Sequence, residues 1–290
     1  MAVKSQNYDE TSKESSYLAP SSSCHILFLV LTPMSGSKQL IRHYRSIWIS
    51  DIHLGTAGCK ADSLLHFLRS CESEYLFLVG DIVDGWRLKK KWYWPQSHND
   101  VVQKFLRKCR KGTKVFYIPG NHDAAARDYI DTSFGGIHIK QDYIHTTADG
   151  RKFWITHGDL FDGVMQHAPW LAYIGDSAYT ALLVINRWFN KVRQLRNLPY
   201  WSLSQYVKNK VKRATSFIAA YENLMAKEAK KRNCHGVICG HIHRAEITQI
   251  EDVLYINDGD WVESLSALVE HETGELEIIY WEGNSLSPSK

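Results

Sequence analysis

Two imidazoles one residue apart lie in the stretch Cys239-Gly240-His241-Ile242-His243. In an extended segment residues i and i+2 share a face, so His241 and His243 would aim into one small volume. Neutral imidazole is the commonest metal ligand, although a lone His-x-His pair is more often incidental. The rest of the chain supplies partners of the right type: Asp51-x-His53, Gly80-Asp81-x-x-Asp84, Gly120-Asn121-His122-Asp123 and His157-Gly158-Asp159. Singly, each has a plain structural explanation, since Asp after a strand caps turns and Gly-Asn-His-Asp suits many loops. Together, Asp51, His53, Asp81, Asn121, His157, His241 and His243 offer oxygen and imidazole without thiolate. That donor set suits two borderline-hard divalent ions such as Mn, Fe or Zn. Two ions ~3.5–4 Å apart need a shared anion, and Asp81, in a central loop, is the natural bridge.

Each motif follows a short apolar run. Ser46–Ser50 leads into Asp51, Tyr75–Val79 into Gly80-Asp81, Lys114–Ile118 into Pro119-Gly120, Lys152–Thr156 into His157, and Gly236–Cys239 into Gly240. Such runs read as strands. Helical stretches at Asp62–Cys71 and Val101–Arg110 separate the first three, a βαβ alternation with helices packed outside a sheet. Sites in such sheets gather at the carboxyl ends of the strands, where all five motifs stand. Further on, Leu254–Ile256 reads as a strand and Ala267–Tyr280 as a hairpin turning at Thr273-Gly274. These predict a second, partly antiparallel sheet. The fold class is therefore α/β, turning α+β in its second half: a β-sandwich of mixed sheets flanked by helices.

Composition bounds the setting. The 290 residues are 44% hydrophobic and 23% charged, the balance of a soluble globular protein, and the net charge of +4 announces no partner. Six cysteines without a CxxC spacing suit free thiols in a reducing compartment. Nothing approaches the ~20 apolar residues that span a bilayer. The apolar run Ile26–Leu31 lacks a basic flank, so no secretory signal is expected. Residues 1–37, rich in Ser, read as a disordered leader, with a single domain over 44–285.

Between His157 and His241 the chain is amphipathic and basic. Leu203, Val207, Val211, Ala214, Ile218, Tyr221 and Met225 keep helical spacing behind a capping box at Ser202-x-x-Gln205. Residues 186–233 carry twelve Lys/Arg against Glu222 and Glu228. One reading is a helix pair packed on the core with a solvated basic face. The other is a cap, at about 163–234, that offers cations to phosphates and aromatics to something greasy or planar. Ser204, Lys208 and Lys212, at i, i+4 and i+8, would then form a substrate-binding row facing phosphate.

The five-part series, from about Ser46 to Val262, resembles the calcineurin-like metallophosphoesterase superfamily. The resemblance implies a four-layer fold with a helical cap insertion. It implies Asp51, His53, Asp81 and His243 around one metal, and Asp81, Asn121, His157 and His241 around the other. A hydroxide held between the two cations would attack phosphorus in line. His122 would face the leaving oxygen as proton donor or charge stabiliser, oriented by Asp84.

Within that superfamily the chain is most similar to the UDP-2,3-diacylglucosamine pyrophosphatase group, on Ile49–Gly55, Gly80–Asp84 and the helical insertion. That group acts in lipid A biosynthesis at the cytoplasmic membrane surface, usually with Mn. It cleaves a UDP-linked diacylated sugar to UMP and an acyl-sugar 1-phosphate. The resemblance implies a cytoplasmic protein, peripheral on the inner face of an anionic membrane, with a lipid-linked nucleotide diphosphate as substrate and no obligate protein partner. Members of that group carry Arg where this chain has His122, and Trp86–Pro95 is here more aromatic and basic. Another lipid-linked or nucleotide diphosphate therefore stays open. So do two further readings: a phosphoesterase of another kind, such as a nuclease using the basic insertion, and a non-catalytic scaffold like the retromer subunit of this fold. The scaffold has lost the active-site His, whereas His122 and Asp84 are both present here, and nucleic acid is not the expected partner.

Overall fold

Alternation along the strands decides which side of each sheet meets what. In β1 (Arg42–Ile49), Ile47 and Ile49 face one way and Trp48 the other. In β2 (Cys71–Val79), Leu76 and Leu78 oppose Phe77 and Val79. Trp48, Phe77 and Val79 meet Phe153, Ile155, Ile238 and Ile256 in one buried cluster between two sheets. Phe153 and Ile155 come from β7 (Lys152–Ile155), Ile238 from β8 (Gly236–Cys239) and Ile256 from β10 (Val253–Asn257). Period-2 patterning thus produces three stacked cores from one set of strands.

The computed structural model describes residues 41–164, 203–282 and 285–288, with side chains at 41–161 and 217–281. The first sheet runs β13-β12-β11-β1-β2-β3-β5-β4. It adds β3 (Lys114–Ile118), β4 (Ser133–Phe134), β5 (Ile137–Ile139), β11 (Ser266–Glu270), β12 (Leu276–Glu282) and β13 (Ser285–Pro288). β1, β2, β3 and β5 pair in parallel. The second sheet runs β6-β7-β8-β10-β9, with β6 (Tyr143–Thr146) and β9 (Glu246–Ile250) as antiparallel edges.

Helices cover both outer faces. α1 (Ala61–Ser70) and α3 (Gln96–Arg110) bury Leu64, Leu65, Leu68, Val101 and Phe105 against the first sheet. A short α2 (Gly85–Lys90) precedes α3. On the other side, Tyr221, Met225, Ala226 and Ala229 of α4 (Leu203–Lys231) pack on Trp154, Val237, Cys239 and Tyr255. The last turns of α4 are therefore an outer layer of the sandwich. No helix among the described residues is long and apolar enough to cross a membrane.

Three placements differ from the sequence reading. Cys71, read as the end of a helix, is extended and opens β2. The β11–β12 hairpin joins the first sheet, because β11 pairs with β1 on one side and β12 on the other. Every residue of β11 is buried, so the strand needs a neighbour at each edge. α3 also starts at Gln96, a turn before Val101, since its first turn is polar and carries no hydrophobic period. The leader at 1–37 lies outside the described residues, as does the cap between 165 and 202.

A buried polar staple ties the sheets together. Glu270 of β11 accepts from Arg45 Nη1 at 2.6 Å, Ser46 Oγ at 2.5 Å and the Ala148 amide at 2.8 Å. It also meets His145 Nε2 of β6 at 2.8 Å. Burial alone would raise this carboxyl, but the His145, Ser46 and Ala148 hydrogen bonds outweigh it and lower its pKa. A depressed carboxyl contributes stability above its unfolded value and loses it as pH falls through the folded one. We expect Glu270→Ala to cost about 3–5 kcal/mol, because its partners are left buried and unmatched. Denaturant unfolding at pH 7 measures it; a loss under 1 kcal/mol would show the staple to be dispensable.

Candidate metal centre

The five post-strand loops lie side by side at one end of the sandwich. The Asp51 amide donates to Gly80 O at 3.1 Å and the His53 amide to Asp81 O at 2.9 Å, which zips the first two loops together. Asp51, His53, Asp81, His241 and His243 have φ values of 48°, 53°, 53°, 71° and 52°. They are five of the nine non-glycine residues with positive φ among the described residues. Left-handed backbone is costly outside glycine, and its concentration here marks loops bent to aim side chains rather than to turn the chain. Gly80 and Gly120 allow that crowding. A Cβ on Gly80, itself at φ +80°, would strike the His157 ring, and one on Gly120 would strike Asp81 Oδ1 and the His157 ring.

The side chains converge as three overlapping donor groups: Asp51, His53 and His243; His53, Asp81 and His122; and Asp81, His157 and His241. Within each group the candidate ligand atoms all lie within 4.8 Å of one another. Asp81 is common to two groups and His53 to two, so the set is continuous. Asp81 Oδ2 lies 3.4 Å from His157 Nε2 and 3.9 Å from both His53 Nε2 and His122 Nε2. Its other oxygen accepts the His122 amide at 2.8 Å. Asp51 Oδ1 sits 3.0 Å from His243 Nε2, while Oδ2 accepts the His241 amide at 2.9 Å.

These residues fit divalent cations on a structural criterion. Asn121 Oδ1 is buried without a hydrogen bond, while Asp51 Oδ1 and His157 Nε2 face other members of the donor set, His243 Nε2 at 3.0 Å and Asp81 Oδ2 at 3.4 Å; a cation would satisfy all of them. His157 turns Nδ1 to Val79 O at 2.9 Å and His53 turns Nδ1 to Asp84 Oδ2 at 3.3 Å. Fixing one ring nitrogen this way leaves Nε2 as the ligand atom, the usual outer arrangement of metal-bound histidine.

The electrostatics point the same way. Burial would lower the His157 imidazole, yet the Asp81 and Asp51 carboxylates outweigh it and raise its pKa to about 10. Burial likewise opposes, and Asp51 overrides, the rise of His243 to about 9. Burial would push the Asp51 carboxyl up, but His243, His157 and His53 hold it far below the usual carboxylate range. In metal-depleted protein both imidazoles therefore keep a proton at neutral pH. Their contribution to stability is complete below the unfolded value of ~6.5 and lost as pH climbs through about 9 and about 10. A cation must displace those protons. We expect divalent-ion loading at pH 7 to release protons, read by calorimetry in buffers of different ionisation enthalpy; a buffer-independent enthalpy would contradict this.

Asp84 holds two rings at once. Oδ1 lies 3.1 Å from His122 Nδ1 and Oδ2 3.3 Å from His53 Nδ1, and Oδ1 also accepts the Arg87 amide at the start of α2. Burial raises its carboxyl, but the His122 and His53 hydrogen bonds outweigh it and leave it well below normal. His122 is raised, its neighbours Asp84 and Asp81 overcoming burial. Its ring is packed between His53, at 4.7 Å edge-on, and Trp86, at 4.2 Å between centroids.

Behind the ligands, Asp123 accepts the Gly120 amide at 2.6 Å and the Ile82 amide at 2.7 Å, joining the second and third loops. Asp159 pairs with Arg127 at 2.6 Å. Two residues escaped the sequence reading. Asp258 is fully buried and accepts from Ser50 Oγ at 2.6 Å, beside Asp51, and burial raises its carboxyl well above normal. Its signal was available, since Asn257-Asp258-Gly259-Asp260 is a polar loop after a strand like the other five. Trp86 was legible only as the start of the aromatic, basic segment Trp86–Pro95, and its contact with His122 was not. The side chains of Ser204, Lys208 and Lys212 lie outside the described residues.

Comparison with known proteins adds an independent line. The profile of the calcineurin-like phosphoesterase family matches residues 44–245. The chain is 23% identical over 242 residues to a UDP-2,3-diacylglucosamine hydrolase of Aliivibrio fischeri, covering 77% of this chain and 92% of that protein. A second such hydrolase, from Haemophilus influenzae, is 24% identical over 81% of this chain and 98% of its own length. Among solved structures, a Vps29 variant from Entamoeba histolytica superposes with a TM-score of 0.42 at 10% identity, covering 84% of this chain and 96% of that one.

Proposed function

The chain belongs to the calcineurin-like phosphoesterase family, a family of metal-dependent hydrolases, and from that premise we propose that it cleaves a lipid-linked nucleotide diphosphate. The substrate class is UDP-2,3-diacylglucosamine or a close relative, with UMP and an acyl-sugar 1-phosphate as products. Its relatives of that name cover most of this chain, which supports the assignment. Asp51, His53, Asp81 and His243 would hold one divalent ion, and Asp81, Asn121, His157 and His241 the other. Mn is the ion we propose. When bound, the ions supply Lewis-acid screening of phosphoryl charge and a nucleophile from water at neutral pH.

The chain's own side chains do the rest. His122, with Nδ1 held by Asp84, turns Nε2 toward the centre, where it can give a proton to the leaving oxygen or steady its charge. The Asp84 carboxylate beside Nδ1 favours the protonated ring. Asp84 acts through His122 and His53, so it is a positioning residue. The observation that supports the reading most is the Asp81 carboxylate common to two donor groups. We further propose a cytoplasmic protein resting on the anionic inner face of the cytoplasmic membrane, a setting that the positive charge of 186–233 would suit.

A Mn-supplemented assay on UDP-2,3-diacylglucosamine beside simple nucleotide diphosphates, with mass detection, tests the assignment. UMP and the acyl-sugar phosphate are expected. Turnover of the soluble nucleotides with none of the lipid would move the substrate class away from lipid.

A further inference from the structure

A cleft of ≈ 670 Å³ opens beside the ligand set, with His53, His122 and His243 on one wall. Arg87 and Lys90 of α2, Lys91 at its end and Tyr93 line the same cleft. Arg87 and Lys90 are a turn apart, and Lys91 follows on the same side, so the three cations share one face. Like charges so placed repel. Among the described residues none of the three has an ion-pair partner.

α2 is seated at two points: Leu88 packs against Gly55, where an added Cβ would come within 2.7 Å of Leu88 Cγ, and the half-exposed Trp86 packs over His122. A roll of α2 would lose both contacts.

Building on the proposed hydrolysis, we infer that Arg87, Lys90 and Lys91 bind a second phosphate of the substrate, on the His122 side of the reacting phosphorus. The substrate is thus a phosphoanhydride whose leaving portion is itself a phosphate. A simple phosphodiester would leave the three cations unmatched. Charge-assisted hydrogen bonds from Arg and Lys are what such an anion would use. A membrane surface is the competing occupant, but the three cations share their cleft with three histidines of the donor groups.

Calorimetry on the Mn-loaded protein tests the inference with two probes, UMP and α,β-methylene-UDP, which resists cleavage. Wild type is expected to bind the two-phosphate probe about tenfold tighter than UMP, the effect of one or two charge-assisted hydrogen bonds. Arg87→Gln/Lys90→Gln/Lys91→Gln should bring the ratio near unity. Lys90→Gln/Lys91→Gln, on exposed side chains, should reduce it partly and guards against misfolding of the triple variant. No preference in wild type, or a preference kept by the triple variant, overturns the inference. So does a triple variant that keeps the preference and loses only its binding to phosphatidylglycerol vesicles. Separate turnover of bis-p-nitrophenyl phosphate reports on the hydrolase reading, so an inactive wild type condemns that reading and leaves the binding ratio to be judged alone.

Discussion

Asp81→Ala is expected to reduce turnover of bis-p-nitrophenyl phosphate by ~10⁴-fold or more, since several kcal/mol of Lewis-acid stabilisation would depend on the ions it is proposed to share. The reason is topological. Asp81 is the one carboxylate common to two donor groups, one with His53 and one with His157 and His241. Removing it would leave each group a donor short and take away the anion that would relieve repulsion between two cations held there. The His157 imidazole also loses the carboxylate that does most to raise its pKa, so it returns toward ordinary values. Metal content by elemental analysis should fall along with activity. Full metal content with full activity would remove Asp81 from the centre.

His122→Ala should separate chemistry from metal binding. A lost general acid typically costs ~10²–10⁴-fold in kcat. Metal content should stay at the wild-type level, because His122 is a quarter exposed and already has Asp84 and Trp86 as partners. The fall should be steepest for substrates with poor leaving groups and slight for p-nitrophenolate, which needs no proton. Loss of metal together with activity would instead make His122 a ligand, an option left open by its place in a group with His53 and Asp81. Asp84→Ala disturbs two rings, His53 and His122, and should therefore lower metal affinity as well as kcat.

Much of this centre was legible because its residues follow strands and obey simple periods. His241 and His243 shared a face by the i, i+2 rule, and Asp51, Asp81, Asn121 and His157 each stood just past an apolar run. The structure brings those loops together. What stayed hidden is whatever depends on long-range contact. The positive φ of Asp51, His53, Asp81, His241 and His243 is imposed by packed loops, not by residue type, since no glycine marks those positions. The second hydrogen bond of Asp84, to His53, joins residues 31 apart, and no local pattern encodes it. The Glu270 staple brings β11 to β6 across the sandwich, so Glu270 read as an ordinary strand residue. The hairpin β11–β12 was legible as a hairpin, but the sheet it joins was not, because edge choice depends on β1 and on burial of both faces. α2 is six residues long, too short for a period, yet it sets the cationic wall of the cleft.

The central claim is that one carboxylate, Asp81, is shared by two divalent ions. Electron paramagnetic resonance of the protein loaded with two equivalents of Mn tests it most directly. Wild type should give the spectrum of an exchange-coupled pair, and Asp81→Ala should give isolated ions or free metal. Uncoupled Mn in wild type, or coupling that survives in Asp81→Ala, would contradict it.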